Sequence, residues 1–260
     1  MKLEGPEVKR AIGAFEDDLA RREAGENGER NGRLLADCSL RAEVRLYYDL
    51  LLPPGSADPC PLLVALHGYG GNKKQMLREA SKAVPQGFAI AALQALHQHI
   101  REPRAPGEPL RYGFGWLTNF RPAESIALHH DALFALIERA VAEGVADGKK
   151  IFLLGFSQSV ALIYRFIFKH ADLVRGAVCI CGGLPGDWET NEEYRPSRTA
   201  ILHLCGTHDE FYPPERVRDY AAKLSMRASR VEVRSYDAAH EITDEMRDDV
   251  RSWLANMASL

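Results

Sequence analysis

The sequence has no run of about 18 apolar residues, the length a helix needs to cross a bilayer. Its opening segment, MKLEGPEVKRAIGAFEDDLARREAG, is charged throughout and lacks the apolar core of a secretory signal. These absences point to a cytoplasmic chain with no integral membrane segment. There is no basic excess either. Lys and Arg number 33 against 36 Asp and Glu, a formal charge of −3. That removes the electrostatic basis for a dedicated nucleic-acid binder. Cysteine is scarce: Cys38, Cys60, Cys179, Cys181 and Cys205 are odd in number and lack the paired spacing of a zinc site. Neither a disulfide framework nor a structural metal is expected. Cys179 and Cys181 alternate with Ile180 in an apolar run, as buried strand residues do. The histidines give no catalytic metal site. His97 and His99, His129 and His130, and His203 and His208 all lack the spacing of a zinc protease. His129 and His130 read as a half-solvated helix face.

Internal repeats and low-complexity segments are also missing, and 46% hydrophobic with 27% charged residues is an ordinary globular composition. Val8, Ile12, Phe15 and Leu19 recur at helical spacing after Pro6 and predict an amphipathic helix to about Arg22. This helix could brace the sheet, cover an edge strand or mediate a homodimer. A Gly- and Asn-rich connector follows, giving two segments, 1–33 and 34–260. Leu34 to Leu52 is strand-like. Short continuous apolar runs then recur at Leu62–Leu66, Phe88–Ala92, Ile151–Leu154, Ala177–Cys181 and Ala200–Leu204. Continuous runs suit parallel strands covered on both faces. Between and after them lie helical patterns, with Ile126, Leu133, Ile137 and Ala140 on one, Val160–Phe168 in another, and Ile242 to Met257 in the last. The fold class is therefore α/β, a doubly wound and mostly parallel sheet. Gln94 to Pro122, rich in Pro, Gly and aromatics, reads as a long irregular piece. Trp116 and Phe114 within it are candidates for a substrate pocket.

The sharpest local signal is Gly155-Phe156-Ser157-Gln158-Ser159, set between an apolar strand and an apolar helix. That is the context of a nucleophile elbow, whose turn lifts the serine hydroxyl above the sheet. A serine needs a histidine base, and the base needs an orienting carboxylate. Asp209 follows the strand Ala200–Leu204, and His240 follows Val231–Tyr236. Ser157, Asp209 and His240 thus stand in the chain order of this architecture, each after a strand. Glu210 and Asp237 are alternative orienting acids. Leu66-His67-Gly68-Tyr69-Gly70-Gly71-Asn72 is a glycine-rich turn able to aim a backbone N–H at a developing oxyanion. It lacks the Lys and Ser or Thr of a phosphate-binding loop. The Tyr69 and Gln158 amides are the expected donors, and His67 the expected buried support.

Together LLVALHGYGGN, IFLLGFSQSVAL, ILHLCGTHDEFYP and AAHEITDEMRDDVRSWL resemble the α/β-hydrolase superfamily, and more narrowly its phospholipase/carboxylesterase family of small serine esterases. The resemblance runs from about Pro61 to Leu254. It implies Ser157 as nucleophile, His240 as base, Asp209 as its orienter, the Tyr69 and Gln158 amides as the oxyanion hole, no cofactor, and no separate cap domain. It implies hydrolysis of a small-molecule carboxylic ester through an acyl-enzyme. The alternatives are a non-catalytic hydrolase-fold binding protein, or a thioesterase, peptidase or lactonase on the same scaffold. Ser159 departs from the pattern, standing where the family usually has glycine.

Overall fold

The computed structural model of the chain describes residues 35–55, 59–101, 103, 105 and 107–259. The amphipathic helix expected from Pro6 to about Arg22, and its connector, lie outside the described residues. Two compact units divide the chain, Met1–Val44 and Arg45–Leu260. In the first, residues 35–44 are exposed and irregular. The second carries every strand and helix among the described residues.

Its centre is a seven-stranded sheet in the order β1-β3-β2-β6-β7-β8-β9. The strands are β1 (Tyr48–Leu51), β2 (Cys60–Leu66), β3 (Ala89–Leu93), β6 (Ala146–Phe156), β7 (Gly176–Ile180), β8 (Ala200–Gly206) and β9 (Val231–Tyr236). All neighbours pair in parallel except β1, which runs antiparallel to β3 at one edge. Of the strand-like region Leu34–Leu52, only β1 is a strand among the described residues. Charged and polar residues interrupt the earlier part, and no neighbouring strand pairs with it.

Helices cover both faces. They are α1 (Lys73–Ala83), α2 (Pro122–Ala142), α3 (Gln158–Lys169), the short α4 (Pro214–Val217) and α5 (Tyr220–Ser225), and α6 (Asp244–Ser259). The period-2 alternation of a strand divides each apolar run between two cores. On β2, Leu62, Val64 and Leu66 join the core that holds α2 and α3. Leu63 and Ala65 face the core that holds α1 and α6. This is why the central runs are continuous in sequence: every position is buried. Each fully buried Leu or Phe here contributes about 1.5–3 kcal/mol. Among the described residues, no helix is long and apolar enough to cross a membrane.

Two features were not legible in the apolar pattern. Helix α1 buries only Met76, Ala80 and Ala83, and owes its start to Asn72, whose Oδ1 accepts from the Gln75 N–H at 3.0 Å. Gln94 to Pro122 is not wholly irregular. It contains the antiparallel pair β4 (His97–Arg101) and β5 (Arg111–Gly115). These strands are polar and glycine-bearing, so no apolar run marks them. The pair is fastened to the glycine-rich turn after β2: Gly70 N–H donates to Phe114 O at 2.9 Å, and Phe114 N–H to Gly71 O at 3.2 Å. Gly113 permits this approach, since a Cβ there would lie 2.9 Å from the Gly70 Cα. His129 and His130 are not half-solvated. Both are buried on α2, at 3% and 6% exposure.

Candidate active site

Three turns at the carboxyl ends of parallel strands bring Ser157, His240 and Asp209 together. Ser157 joins β6 to α3 with φ 57° and ψ −116°, a strained conformation for a residue with a Cβ. Ser157 N–H donates to Ile180 O at 2.9 Å, which pins the turn to β7. Glycine at 155 is a steric necessity. A Cβ there would meet the Ile163 Cδ1 at 2.5 Å and the Ser159 Oγ at 2.8 Å.

Ser159, the departure from glycine, is wholly buried and hydrogen-bonded. Its hydroxyl accepts from the Phe156 N–H at 3.0 Å. As a donor it lies 3.0 Å from both the Leu66 and Phe156 carbonyls. The extra side chain therefore ties the elbow to the end of β2.

His240 Nε2 lies 2.9 Å from Ser157 Oγ, and His240 Nδ1 lies 2.9 Å from Asp209 Oδ2. Asp209 Oδ1 accepts the Phe211 and Tyr212 N–H groups, each at 2.9 Å. Burial alone would raise the Asp209 pKa. The hydrogen bonds from His240, Tyr212 and Phe211 outweigh it and hold the carboxyl below its ordinary value. An ionised Asp209 accepts the Nδ1 proton of His240 and leaves Nε2 as the acceptor facing Ser157. Phe156, Phe211 and Tyr212 surround the imidazole, with ring centroids 4.8, 4.8 and 6.0 Å away. The other two acids stand apart from it: Asp237 is exposed and pairs with His208 at 2.8 Å, and Glu210 is exposed.

The glycine-rich turn is held from below. His67 is buried, and its Nδ1 lies 2.7 Å from Gly68 O while Ala95 N–H donates to Nε2 at 3.2 Å. Those partners select the neutral tautomer protonated at Nδ1. Burial lowers the His67 pKa, with the Gly68 hydrogen bond opposing. Gly71 N–H also donates to Gly68 O, at 3.1 Å. Because the peptide is planar and trans, a Gly68 carbonyl fixed on one side sends the Tyr69 N–H to the other. The second expected donor, Gln158 N–H, is at the first turn of α3, where backbone donors have no intrahelical acceptor and the helix dipole favours negative charge.

Trp116 connects these two donors. Its backbone N–H donates to Gln158 Oε1 at 2.8 Å, and its indole Nε1–H to His67 O at 2.7 Å. It is 5% exposed. Of the two residues expected to line a substrate pocket, Trp116 borders a small cavity beside His97, Ser125 and His129. An indole whose N–H finds a partner in the interior is drawn inward, and Phe114 is half-buried against the same core. Neither lines the cavity of about 300 Å³ beside the turn, which is bounded instead by Gly68, Tyr69, Phe156 and Ile242 with residues of α1 and α6. No local motif could have found α1 and α6 there, because only the fold brings them together.

Among the described residues, one group of three could hold a metal ion: Cys181, Asp209 and His240, with ligand atoms within 4.8 Å of one another. Burial pushes the Cys181 thiol up to about 12, so it stays protonated, and the other two are hydrogen-bonded to each other. That chemistry suits proton transfer better than metal binding.

Known proteins share this architecture. The carboxylesterase of Mesorhizobium loti matches with a TM-score of 0.63 at 24% identity, over 87% of this chain and 99% of that one. The Bacillus cereus carboxylesterase matches with a TM-score of 0.62 at 15% identity, over 82% and 94%. At these identities the likeness is one of fold. In sequence, NocK of Nocardia uniformis subsp. tsuyamanensis, an esterase by name, is 25% identical over 161 residues. The match covers 62% of this chain and 43% of NocK, so this chain spans less than half of that relative. Residues 54–258 match the model of the phospholipase/carboxylesterase family, and the chain belongs to that family, with the α/β-hydrolase fold.

Proposed function

We propose that the chain is a serine esterase that cleaves small carboxylic esters through an acyl-enzyme. One observation carries the reading: the continuous hydrogen-bonded series from Ser157 Oγ through His240 to the buried Asp209, with the serine on a strained elbow. Ser157 Oγ attacks the ester carbonyl carbon as its proton passes to His240 Nε2. The carbonyl oxygen becomes an oxyanion, and the Tyr69 and Gln158 N–H groups donate to it. The tetrahedral intermediate collapses, the carbon–oxygen bond to the alcohol breaks, and His240 returns the proton to the departing oxygen. Water then adds to the acyl carbon, giving its proton to His240, and the acid leaves as Ser157 recovers its hydrogen. Asp209 holds the imidazole tautomer and balances the imidazolium charge.

His67, Gly71 and Trp116 act as positioning groups, since they fix the peptides that carry the donors. A non-catalytic binding protein would have no use for this arrangement. Turnover of a short ester by purified protein, beside Ser157→Ala, tests the proposal. The variant is expected to lose about 10⁴-fold or more in kcat. Equal turnover by the two proteins contradicts it.

A further inference from the structure

The open cavity of about 300 Å³ borders the oxyanion turn, the nucleophile elbow and the segment after His240. Gly68 and Tyr69 come from the oxyanion turn. Phe156 precedes the nucleophile, and Ile242 stands two residues after His240. Phe156 forms part of the wall, and its ring lies against the His240 imidazole, at 4.8 Å between centroids. In the proposed mechanism His240 gives its proton to the departing alcohol, so the alcohol lies on the imidazole's side of the reacting carbon. From the geometry we infer that this cavity receives the alcohol part of the ester, and that this alcohol is compact, apolar beside the ester oxygen and equipped with a hydrogen-bond donor at its outer end. The inference rests on the reading of Ser157 and His240 given above.

The size and the lining carry the chemical class. About 300 Å³ is at the lower limit of small-molecule sites, and equals about ten waters. That holds a ring or a short branched group. Phe156, Ile242 and Met76 supply the apolar surface. Away from the catalytic turns the wall is polar. Glu79 of α1 accepts from Arg247 of α6 through Oε2, at 3.0 Å from Nε and 2.6 Å from Nη2. Arg247 also pairs with Asp244 through Nη1. Glu79 Oε1 is different. Its cation neighbour Lys82 is 3.8 Å away, beyond hydrogen-bond length, which leaves an anionic acceptor at the wall. A hydroxyl or amine on the alcohol satisfies it.

The test keeps the acyl group constant. Methyl acetate, cyclohexyl acetate and the monoacetate of 1,4-cyclohexanediol are compared by kcat/KM. Wild-type protein is expected to cleave all three and to favour the diol ester over cyclohexyl acetate by about fivefold or more, the worth of one added hydrogen bond to a charged acceptor. Gln75→Trp places a large ring at the exposed rim without touching the core. It is expected to lower the ratio of cyclohexyl to methyl acetate by about tenfold or more. Ile242→Ala enlarges the wall and is expected to raise that ratio. Glu79→Gln is expected to erase the preference for the diol ester. The inference is overturned if wild type cleaves methyl acetate but neither ring ester, if both size variants leave the ratio unchanged, or if they alter acyl-length dependence instead. Failure of wild type to cleave methyl acetate would overturn the esterase reading itself.

Discussion

Replacing Ser159 with glycine restores the residue usual in the family, and the structure expects this to harm the protein. The Ser159 hydroxyl is wholly buried, accepts from the Phe156 N–H and serves as donor to the Leu66 carbonyl, each at 3.0 Å. In Ser159→Gly both backbone groups lose that partner. A buried polar group left without a partner costs about 1–3 kcal/mol. Glycine in the first turn of α3 adds about 0.5 kcal/mol of helix propensity. Allowing for partial relaxation, the expected loss is about 2–4 kcal/mol, a large share of the ~5–15 kcal/mol that holds a typical domain. Urea unfolding at neutral pH measures it, with the slope checked so that a change in the unfolded state is not mistaken for a change in stability. Ester turnover at a temperature where both proteins are folded reads the elbow separately. If Ser159→Gly is as stable as wild type, or more so, the hydroxyl is a tolerated intruder and the reasoning fails.

Other expectations follow from the same contacts. Asp209→Ala should lower kcat by about 10⁴-fold, whereas Asp237→Ala, which removes only an exposed pair with His208, should stay near wild type; steady-state kinetics that reverse this order would exchange the two acids. Trp116→Phe keeps a ring but deletes the hydrogen bond to His67 O. It should lower kcat about five- to tenfold with little change in KM, the worth of one positioning bond of about 1 kcal/mol, and an unchanged kcat would leave Trp116 only a packing role. Burial lowers the His129 pKa to about 3, with His130 adding to the effect, and the His203 pKa to about 4. Both stay neutral in the fold while the unfolded chain takes up protons below pH 6.5. Their contribution is therefore full above pH 6.5 and is lost as pH falls toward 4, by about 2 kcal/mol each at pH 5; a urea midpoint that does not move between pH 7.5 and 5 contradicts this.

The parts of the fold legible in the sequence were those whose local pattern equals their tertiary environment. Val231–Tyr236 is β9 at the same boundaries, and the central apolar runs are the central strands. The elbow could be read because strand, strained serine and helix are adjacent in the chain. The turn after β2 could be read because its glycines are consecutive. What could not be read depends on distant segments. The β4–β5 pair lies against the oxyanion turn through backbone bonds and the bare Cα of Gly113, neither of which leaves an apolar signature. Trp116 lies inside because the His67 carbonyl accepts from its indole N–H, a contact that no local pattern announces. His129 and His130 looked half-solvated because a histidine pair carries no mark of burial. The cavity walls from α1 and α6, Gln75, Glu79 and Arg247, sit on helices far apart in sequence and unremarkable in composition.

The central claim is that His240 and Asp209 make Ser157 a nucleophile. Fluorophosphonate labelling tests it directly, because the probe reacts with an activated serine whatever the natural ester. Intact mass and peptide mapping would be read beside Ser157→Ala and His240→Ala. One adduct per chain on Ser157, absent from the first variant and strongly slowed in the second, is the expected result. Folded wild-type protein that takes up no probe, or takes it up on another serine, would contradict the account.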